Sequence, residues 1–401
     1  MSDSSQDLLN AAEADILSTE CLTALRELEP HALVQILIRS RRGADAVETG
    51  RGPDTMSGAL ETAGIRFGTG ARLVRQLKDD LARGTQELRH LLPDAEPLWL
   101  ADALAATVTV EQMAELGRRP DVRRIELQPM ASPARAPVSA DALANSEPSD
   151  ELGHDRALGL DLEQEPETAP RIALLDTVAG VPDDRRLKTC AAFDRQGRPG
   201  GGVCDAPGDR SGRRWLDTLQ DLVPGATFLP VQVFDGDTPQ ASFAQLVAGM
   251  QWALEQDVDL MVLDLGDEAL DPVWHLPMLN CTLHGTSLVV AGCRPTGRRG
   301  HGGETWPIHL PLAGCYAEGP LRTDLQVSGA PLGKHGLKGS LAAATRTVAA
   351  VTLLQGSASH LRRRPDQIAG FLFGGAGREL QPDGTVELDA NSALRAALTA
   401  A

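Results

Sequence analysis

The sequence is poor in aromatic residues, in basic residues and in long apolar runs. Its 401 residues include only five Trp, one Tyr and seven Phe, so Leu, Val and Ala must fill the core. Lys and Arg number 38 against 55 Asp and Glu, which gives a formal net charge of −17. Nucleic acid and anionic membrane surfaces need a basic face, so this acidity argues against both as partners. No run approaches the roughly 18 apolar residues of a membrane-spanning helix.

The six cysteines have neither C-x-x-C nor zinc-ligand spacing. We therefore expect reduced thiols in a cytoplasmic protein, while a Cys190–Cys204 disulfide across a Gly-rich loop stays open. The first ten residues lack the basic and apolar regions of a secretory signal. There is no D-x-D-x-D-G series of calcium ligands, and the Gly-rich stretch Arg198–Gly202 lacks the context of a phosphate loop. We expect no metal and no cofactor.

Composition and apolar periodicity divide the chain into four parts. Residues 1–30 predict a helical extension, and residues 31–129 follow the order β-α-β-(β)-α-β, which suits a small ferredoxin-like α+β domain. Residues 130–168 are dense in Pro, Ala, Ser and acidic residues, which is typical of a linker. Residues 169–401 alternate short apolar strands with helices. This pattern predicts an α/β domain with a doubly wound, mostly parallel sheet and helices on both faces.

The stretch Arg171–Gly180, RIALLDTVAG, predicts a buried parallel strand that ends in an acidic residue. The strand delivers Asp176 at its carboxyl end. In open α/β sheets, ligands and chemistry lie at that end of the strands. Asp176 is therefore the first candidate site residue.

From Asp176 onward the chain resembles the subtilisin-like serine proteases. D-T-V at residues 176–178 stands where the family has D-T-G or D-S-G, and Leu222–Val231 (LVPGATFLPV) is similar to the family's V-A-P-G-A-x-L-L-P-V. Leu288–Gly292 is similar to the family strand L-V-V-A-A-A-G-N. Residues 32–129 resemble the family's propeptide, most clearly over their final third. The resemblance implies a subtilisin-like domain with a ferredoxin-like prodomain bound to it.

The resemblance also implies that the other catalytic positions hold residues unable to do the chemistry. The histidine position falls on Ser211, the serine position on Ala342 and the oxyanion-hole asparagine position on Cys293. A serine is no general base near neutral pH, and a thiol is a weak hydrogen-bond donor. We therefore expect a catalytically inactive pseudoprotease with Asp176, Ser211, Ala342 and Cys293 as vestigial positions. Its prodomain should remain uncut, because the triad performs that cut in active relatives.

Two alternatives stay open. In the first, the chain is a serine endopeptidase with a rearranged site, in which Ser340 acts with His284 or His335. Ser340 otherwise reads as a helix N-cap. His284 begins an H-G-T sequence like that of the family, but Leu288–Gly292 places it in a turn before a later strand. In the second alternative, the chain is a structural subunit whose groove is closed by its own prodomain.

The resemblance further implies a groove that binds a peptide as an added β-strand. The expected lining is Asp264, Leu265, Gly266 and Asp267 on one edge, with Asp235 and Gly236 on the other. The carboxylates of Asp264 and Asp267 favour a basic ligand. We expect a peptide or protein partner there, such as an active protease or a peptide-modifying enzyme. The alternative occupant is the prodomain's own tail, near residues 126–128.

Overall fold

The computed structural model describes fifteen segments of the chain. These segments contain two main sheets. The segments are residues 16–41, 70–132, 169–176, 189–200, 210–234, 240–265, 272–291, 299–300, 303–309, 324–328, 332, 337, 340–375, 386–387 and 390–400. The N-terminal segments form a four-stranded antiparallel sheet, called the small sheet. The later segments form a nine-stranded, largely parallel sheet, called the large sheet.

The small sheet has the strand order β2-β3-β1-β4, with every neighbouring pair antiparallel. Its strands are β1 (Leu33–Ser40), β2 (Glu96–Leu98), β3 (Ala103–Thr109) and β4 (Val122–Leu127), and its helices are α1 (Thr19–Glu27), α2 (Gly70–Leu91) and α3 (Val110–Gly117). Side chains alternate along β1, so Ile36 and Ile38 pack with the helices while Leu37 faces the large sheet's helices. This is the ferredoxin-like arrangement that the sequence predicts.

The N-terminal extension covers one edge of the small sheet. Leu17 forms a parallel bridge with Ile125 of β4, and Ser18 N donates to Ile125 O at 3.0 Å. The Ser18 side chain then caps α1 by accepting from Cys21 N at 3.3 Å. An edge strand that is covered in this way cannot pair with other chains along those residues.

The large sheet has the order β15-β14-β13-β11-β10-β6-β8-β7, with β12 beside β13. Its strands are β6 (Arg171–Asp176), β7 (Ala191–Ala192), β8 (Thr227–Gln232), β10 (Leu260–Leu263), β11 (Ser287–Ala291), β12 (Arg299–Gly300), β13 (Gly303–His309), β14 (Asp324–Ser328) and β15 (Val386–Glu387). The five strands β7, β8, β6, β10 and β11 run parallel. A separate two-stranded sheet pairs β5 (Met130–Ala131) with β9 (Ala241–Ser242).

Helices cover both faces of the large sheet, as predicted. They are α4 (Arg210–Leu222), α5 (Phe243–Glu255), α6 (His275–His284), α7 (Ser340–Ser357), α8 (Pro365–Gly375) and α9 (Ala390–Ala400), with 3₁₀ turns at Pro272–Trp274 and Ser359–Leu361. On β6, Ile172 and Leu174 pack towards α4 and α7, whereas Ala173 and Leu175 pack towards α5 and α6. Helix α7 is buried nearly all round, as its apolar sequence predicts.

The small sheet packs on α5 and α6 through the connection between β2 and β3. Trp99 and Leu100 are buried there, in one apolar cluster shared with both helices. Gln251 of α5 accepts from Leu100 N at 3.1 Å, and Asn280 of α6 donates to Leu100 O at 2.8 Å. The buried backbone polar groups of Leu100 are thus satisfied by side chains of the larger unit.

Three local predictions are wrong. The strand expected over residues 260–265 ends at Leu263. His284 is the last residue of α6 and not part of a turn, because Gly285 ends that helix in the left-handed conformation with φ 100°. Cys190 is in a disulfide and not reduced. Cys204 lies outside the described segments, and the buried Cys21 and Cys281 are free thiols.

The described segments contain neither a membrane-spanning helix nor a cluster of metal-binding side chains. None of their helices combines the length and apolar character needed to cross a bilayer. No set of three or more His, Cys, Asp or Glu side chains in those segments is placed to hold a metal ion.

Candidate functional site

Two buried carboxylates stand side by side at the carboxyl edge of the large sheet. Leu175 of β6 pairs with Leu263 of β10 in parallel register, so the next residues, Asp176 and Asp264, are neighbours. Both side chains are fully buried. The alternation of side chains directs them to the same face as Leu174, which is the face covered by α4 and α7.

Helices α4 and α7 begin at that same edge and touch each other near their first turns. Trp215 of α4 donates through Nε1 to Thr345 Oγ1 of α7 at 2.9 Å. Ser211 is the second residue of α4 and Ala342 the third residue of α7. At the opposite end, Gln355 of α7 donates to Asp259 O, just before β10 begins. The topology therefore brings the positions of Asp176, Ser211 and Ala342 to one edge of the sheet.

The first turn of α7 offers no hydroxyl at the position assigned to the nucleophile. Ala342 is fully buried, and Ser340, the first residue of α7, is 3% exposed. An alanine methyl group cannot attack a carbonyl carbon. Cys293, the position assigned to the oxyanion donor, lies outside the described segments, as does His335.

His284 lies at the opposite, amino edge of the sheet. It precedes β11, whose first residue Ser287 pairs with Leu260 at the start of β10. Asp176 ends β6 at the carboxyl edge, and β10 lies between β6 and β11. The four residues of β10 alone span about 13 Å from one edge to the other. The structure therefore does not bring His284 to Asp176 or to the start of α7.

The environment of His284 is that of a neutral core histidine. Its Nδ1 lies 3.1 Å from Thr286 Oγ1, which itself donates to Val258 O at 2.9 Å. Thr286 is thus the acceptor, and Nδ1 carries the proton. Burial, followed by the nearby Arg363 guanidinium, lowers the pKa of His284 to about 4. This imidazole is neutral across the physiological range.

The tail that follows β4 pairs with β9, immediately before α5. Met130 and Ala131 form antiparallel pairs with Ser242 and Ala241, and Phe243 N donates to Pro129 O at 3.0 Å. The sequence-based alternative, in which the tail occupies the groove, puts the tail near residues 126–128. Residues 126 and 127 instead belong to β4 and pair with β1, so the contacting strand lies further along the chain.

Only part of the predicted peptide groove falls in the described segments. Asp264 and Leu265 are both buried. The remaining predicted lining residues lie outside those segments: Gly266, Asp267, Asp235 and Gly236. The strand β9 was not predicted, although the capping box that follows it, Ser242 with Gln245, is readable as an S-x-x-Q helix start.

Comparison with known proteins identifies the fold. No family model matches the sequence, and neither does any curated protein. A solved structure of similar fold is fervidolysin from Fervidobacterium pennivorans, a keratinolytic enzyme related to subtilisin, with a TM-score of 0.53 and 15% sequence identity. The chain has a subtilisin-like fold. The match covers 91% of this chain and 61% of the fervidolysin chain, so this protein spans about three fifths of that enzyme's length.

Proposed function

We propose that this protein is a catalytically inactive pseudoprotease that uses a subtilisin-like fold to hold a peptide or protein partner. The observation that carries the proposal is Ala342, fully buried in the first turn of α7, at the edge where Asp176 ends its strand. At the position where the resemblance puts the nucleophile, the side chain has no atom that can form an acyl intermediate.

The proposed losses extend beyond the nucleophile. Ser211 stands in place of the imidazole and Cys293 in place of the oxyanion donor. Loss of any one triad member leaves such enzymes only about 10³–10⁴-fold faster than water. Loss of the base, the nucleophile and the oxyanion donor together leaves no useful turnover.

The geometry gives no support to an endopeptidase in which Ser340 acts with His284, and His335 lies outside the described segments. Ser340 begins α7 at the carboxyl edge, whereas His284 lies at the amino edge and is neutral with Nδ1 bonded to Thr286. A base must reach the hydroxyl whose proton it removes, directly or through one water.

Binding by strand pairing needs no catalytic residues, since backbone groups supply the hydrogen bonds. In this chain β9 offers such an edge, and Met130–Ala131 occupies it. Of the two carboxylates that the sequence offers to a basic partner, Asp264 is fully buried, so the proposed preference for a basic side chain rests on Asp267. We propose that the chain's own tail and an extended, basic partner peptide exchange with each other at this edge.

The second candidate function is a structural subunit whose groove stays closed. The pairing of β5 with β9 favours it, because the tail is covalently attached and therefore always near its site. A titration separates the two candidates. A fluorescent extended peptide rich in Lys should bind saturably if the groove exchanges, and a matched Glu-rich peptide should not. No binding of either peptide favours the closed subunit.

Covalent labelling tests inactivity. A fluorophosphonate probe should leave the full-length chain unlabelled, while an active subtilisin in the same reaction is labelled. The Ser340→Ala variant is the matched control for this serine. Labelling of the natural chain that disappears in Ser340→Ala would establish the endopeptidase alternative.

A further inference from the structure

A hydrogen-bonded turn lies beside the tail and the start of α5. The turn is Asp194–Arg198, and its first residue organises it. Asp194 Oδ1 accepts from Gln196 N and Arg198 N, both at 2.9 Å, and Asp194 Oδ2 accepts from Arg198 Nε at 3.0 Å. Gly197 N donates to Asp194 O at 2.8 Å. The turn is therefore held in one shape by its own side chain.

Two side chains of the α5 capping box hold this turn. Ser242 Oγ donates to Arg195 O at 2.5 Å, and Gln245 Nε2 donates to Phe193 O at 2.7 Å. The same two residues cap α5 at Ser242 N and Gln245 N. The start of the helix and the position of the turn are thus set by one network.

The fit between the turn and α5 is close at Gly197. Its φ is +83°, and a Cβ atom there would lie 2.8 Å from Ala244 O. A side chain at this position would both strain the backbone and push the turn away from the helix. Gly200, two residues after the turn, has more room. A Cβ atom there would lie 3.4 Å from its nearest neighbour, Ala192 O, which is an ordinary contact distance.

The turn also binds the tail. Gln128 Nε2 donates to Arg195 O at 3.1 Å, the same carbonyl that accepts from Ser242. This shared acceptor lies beside the place where Phe243 N donates to Pro129 O and Met130 pairs with Ser242. Arg195 O therefore links Gln128 of the tail to Ser242 of β9 through two hydrogen bonds that are separate from the β5–β9 pairing.

The turn faces the small sheet as well. Burial, and then the nearby Asp194 carboxylate, raises the pKa of Glu96 at the start of β2, while Arg198 opposes the shift. The turn thus contacts the tail and α5, and its charges also act on Glu96 of β2.

We propose that Asp194–Arg198 is a clip that retains the tail, residues 128–131, on β9. An external extended peptide gains this edge only when the clip opens. The inference rests on the proposed function, because it concerns the same groove. The effect of the clip on the tail is nevertheless measurable whether or not the chain is an enzyme.

Hydrogen exchange at Phe243 reports the tail directly. Phe243 is the first residue of α5, so its N–H has no acceptor within the helix, and its partner is Pro129 O. In full-length Gly197→Ala we expect this amide to exchange about tenfold faster than in the natural chain, as a local opening. In the matched control Gly200→Ala the rate should stay within about twofold. Equal rates in Gly197→Ala and the natural chain would overturn the clip.

Gln128→Ala provides a second test that does not disturb the turn. It removes one hydrogen bond to Arg195 O, so exchange at the Phe243 amide should rise about fivefold. This variant tests the clip independently if Gly197→Ala does not fold. A labelled synthetic peptide copying residues 124–132 should bind Gln128→Ala more tightly than the natural chain. Faster exchange without tighter binding would retain the clip and overturn its control of external peptides. Unchanged exchange in Gln128→Ala would overturn the clip itself.

Discussion

Trp215 donates a hydrogen bond to Thr345 across 130 residues of sequence, and both side chains are buried. The bond joins α4 to α7 one turn away from the positions of Ser211 and Ala342. Thr345 Oγ1 also donates back to Leu341 O at 2.6 Å. The first turns of α4 and α7 are therefore joined by a buried polar tie that includes neither Ser211 nor Ala342.

The first prediction concerns this tie. Thr345→Val keeps the side-chain shape but leaves the buried Trp215 N–H without its acceptor, which should cost about 1–3 kcal/mol of unfolding free energy. Thr347→Val is the matched control, because Thr347 only donates to Ala343 O within the helix. It should cost less than about 1 kcal/mol. Urea unfolding of both variants measures the difference, and equal losses would contradict the prediction.

The second prediction concerns the amino edge of the large sheet. The fully buried Asp259 carboxylate accepts from Arg362 Nε at 2.9 Å and Nη2 at 2.8 Å, and from Arg171 N at 2.9 Å. Arg362→Met removes the bidentate partner of this buried charge, while Arg363 Nε remains 3.5 Å from Asp259 Oδ1. The loss should therefore be about 1.5–3 kcal/mol.

A neighbouring arginine supplies the control for Arg362. Arg364 pairs with Asp366 at 3.2 Å, but both side chains are about one-third or more exposed. Arg364→Met should therefore cost less than about 1 kcal/mol. Denaturant unfolding compares the variants. A loss in Arg362→Met no larger than that in Arg364→Met would mean that the buried pair contributes nothing specific.

The third prediction concerns pH. The folded pKa of His284, about 4, lies below its ordinary value of 6.5 because of burial, so the unfolded chain binds this proton first as the pH falls. Its contribution is fully present above pH 6.5 and is lost as the pH falls towards 4, by about 2–3 kcal/mol. His284→Gln should flatten the stability profile across this window.

The threonine beside His284 provides the comparison. Thr286→Val removes the hydrogen-bond partner but keeps the imidazole, so the variant should be less stable and should retain the slope between pH 6.5 and 4. Unfolding by urea at half-unit pH steps measures both profiles. If stability falls with pH as steeply in His284→Gln as in the natural chain, the assignment of this pH dependence to His284 is refuted.

Much of the fold is readable from the sequence where the local pattern is strong. The strand predicted over Val122–Leu127 has those bounds in the structure, and the helix predicted over Gly339–Gln355 is α7 at Ser340–Ser357. Helix α6 was missed. Its sequence HLPMLNCTLH is buried almost throughout, so it has no amphipathic period, and Pro277 near its start offsets the helix propensity of its Leu and Met residues. Gly285, which ends it, was the one usable signal.

The sequence indicates the carboxyl end of β6 as a site but not the contacts around it. The pairing of Met130–Ala131 with β9 and the bond from Gln128 to Arg195 join segments 67 or more residues apart. Such contacts depend on how the small sheet docks on α5 and α6. Docking is set by shape and by side chains such as Gln251 and Asn280, and it leaves no periodic signal in any one segment.

The intact mass of the purified full-length chain, after prolonged incubation at neutral pH, tests the central claim most directly. An inactive chain cannot cut the connection between Ala131 and Arg171, so we predict one species of 42.5 kDa. The Asp176→Ala variant, incubated in parallel, distinguishes self-cleavage from a contaminating protease. Two fragments from the natural chain and none from Asp176→Ala would show that the triad position still works, and would contradict the account.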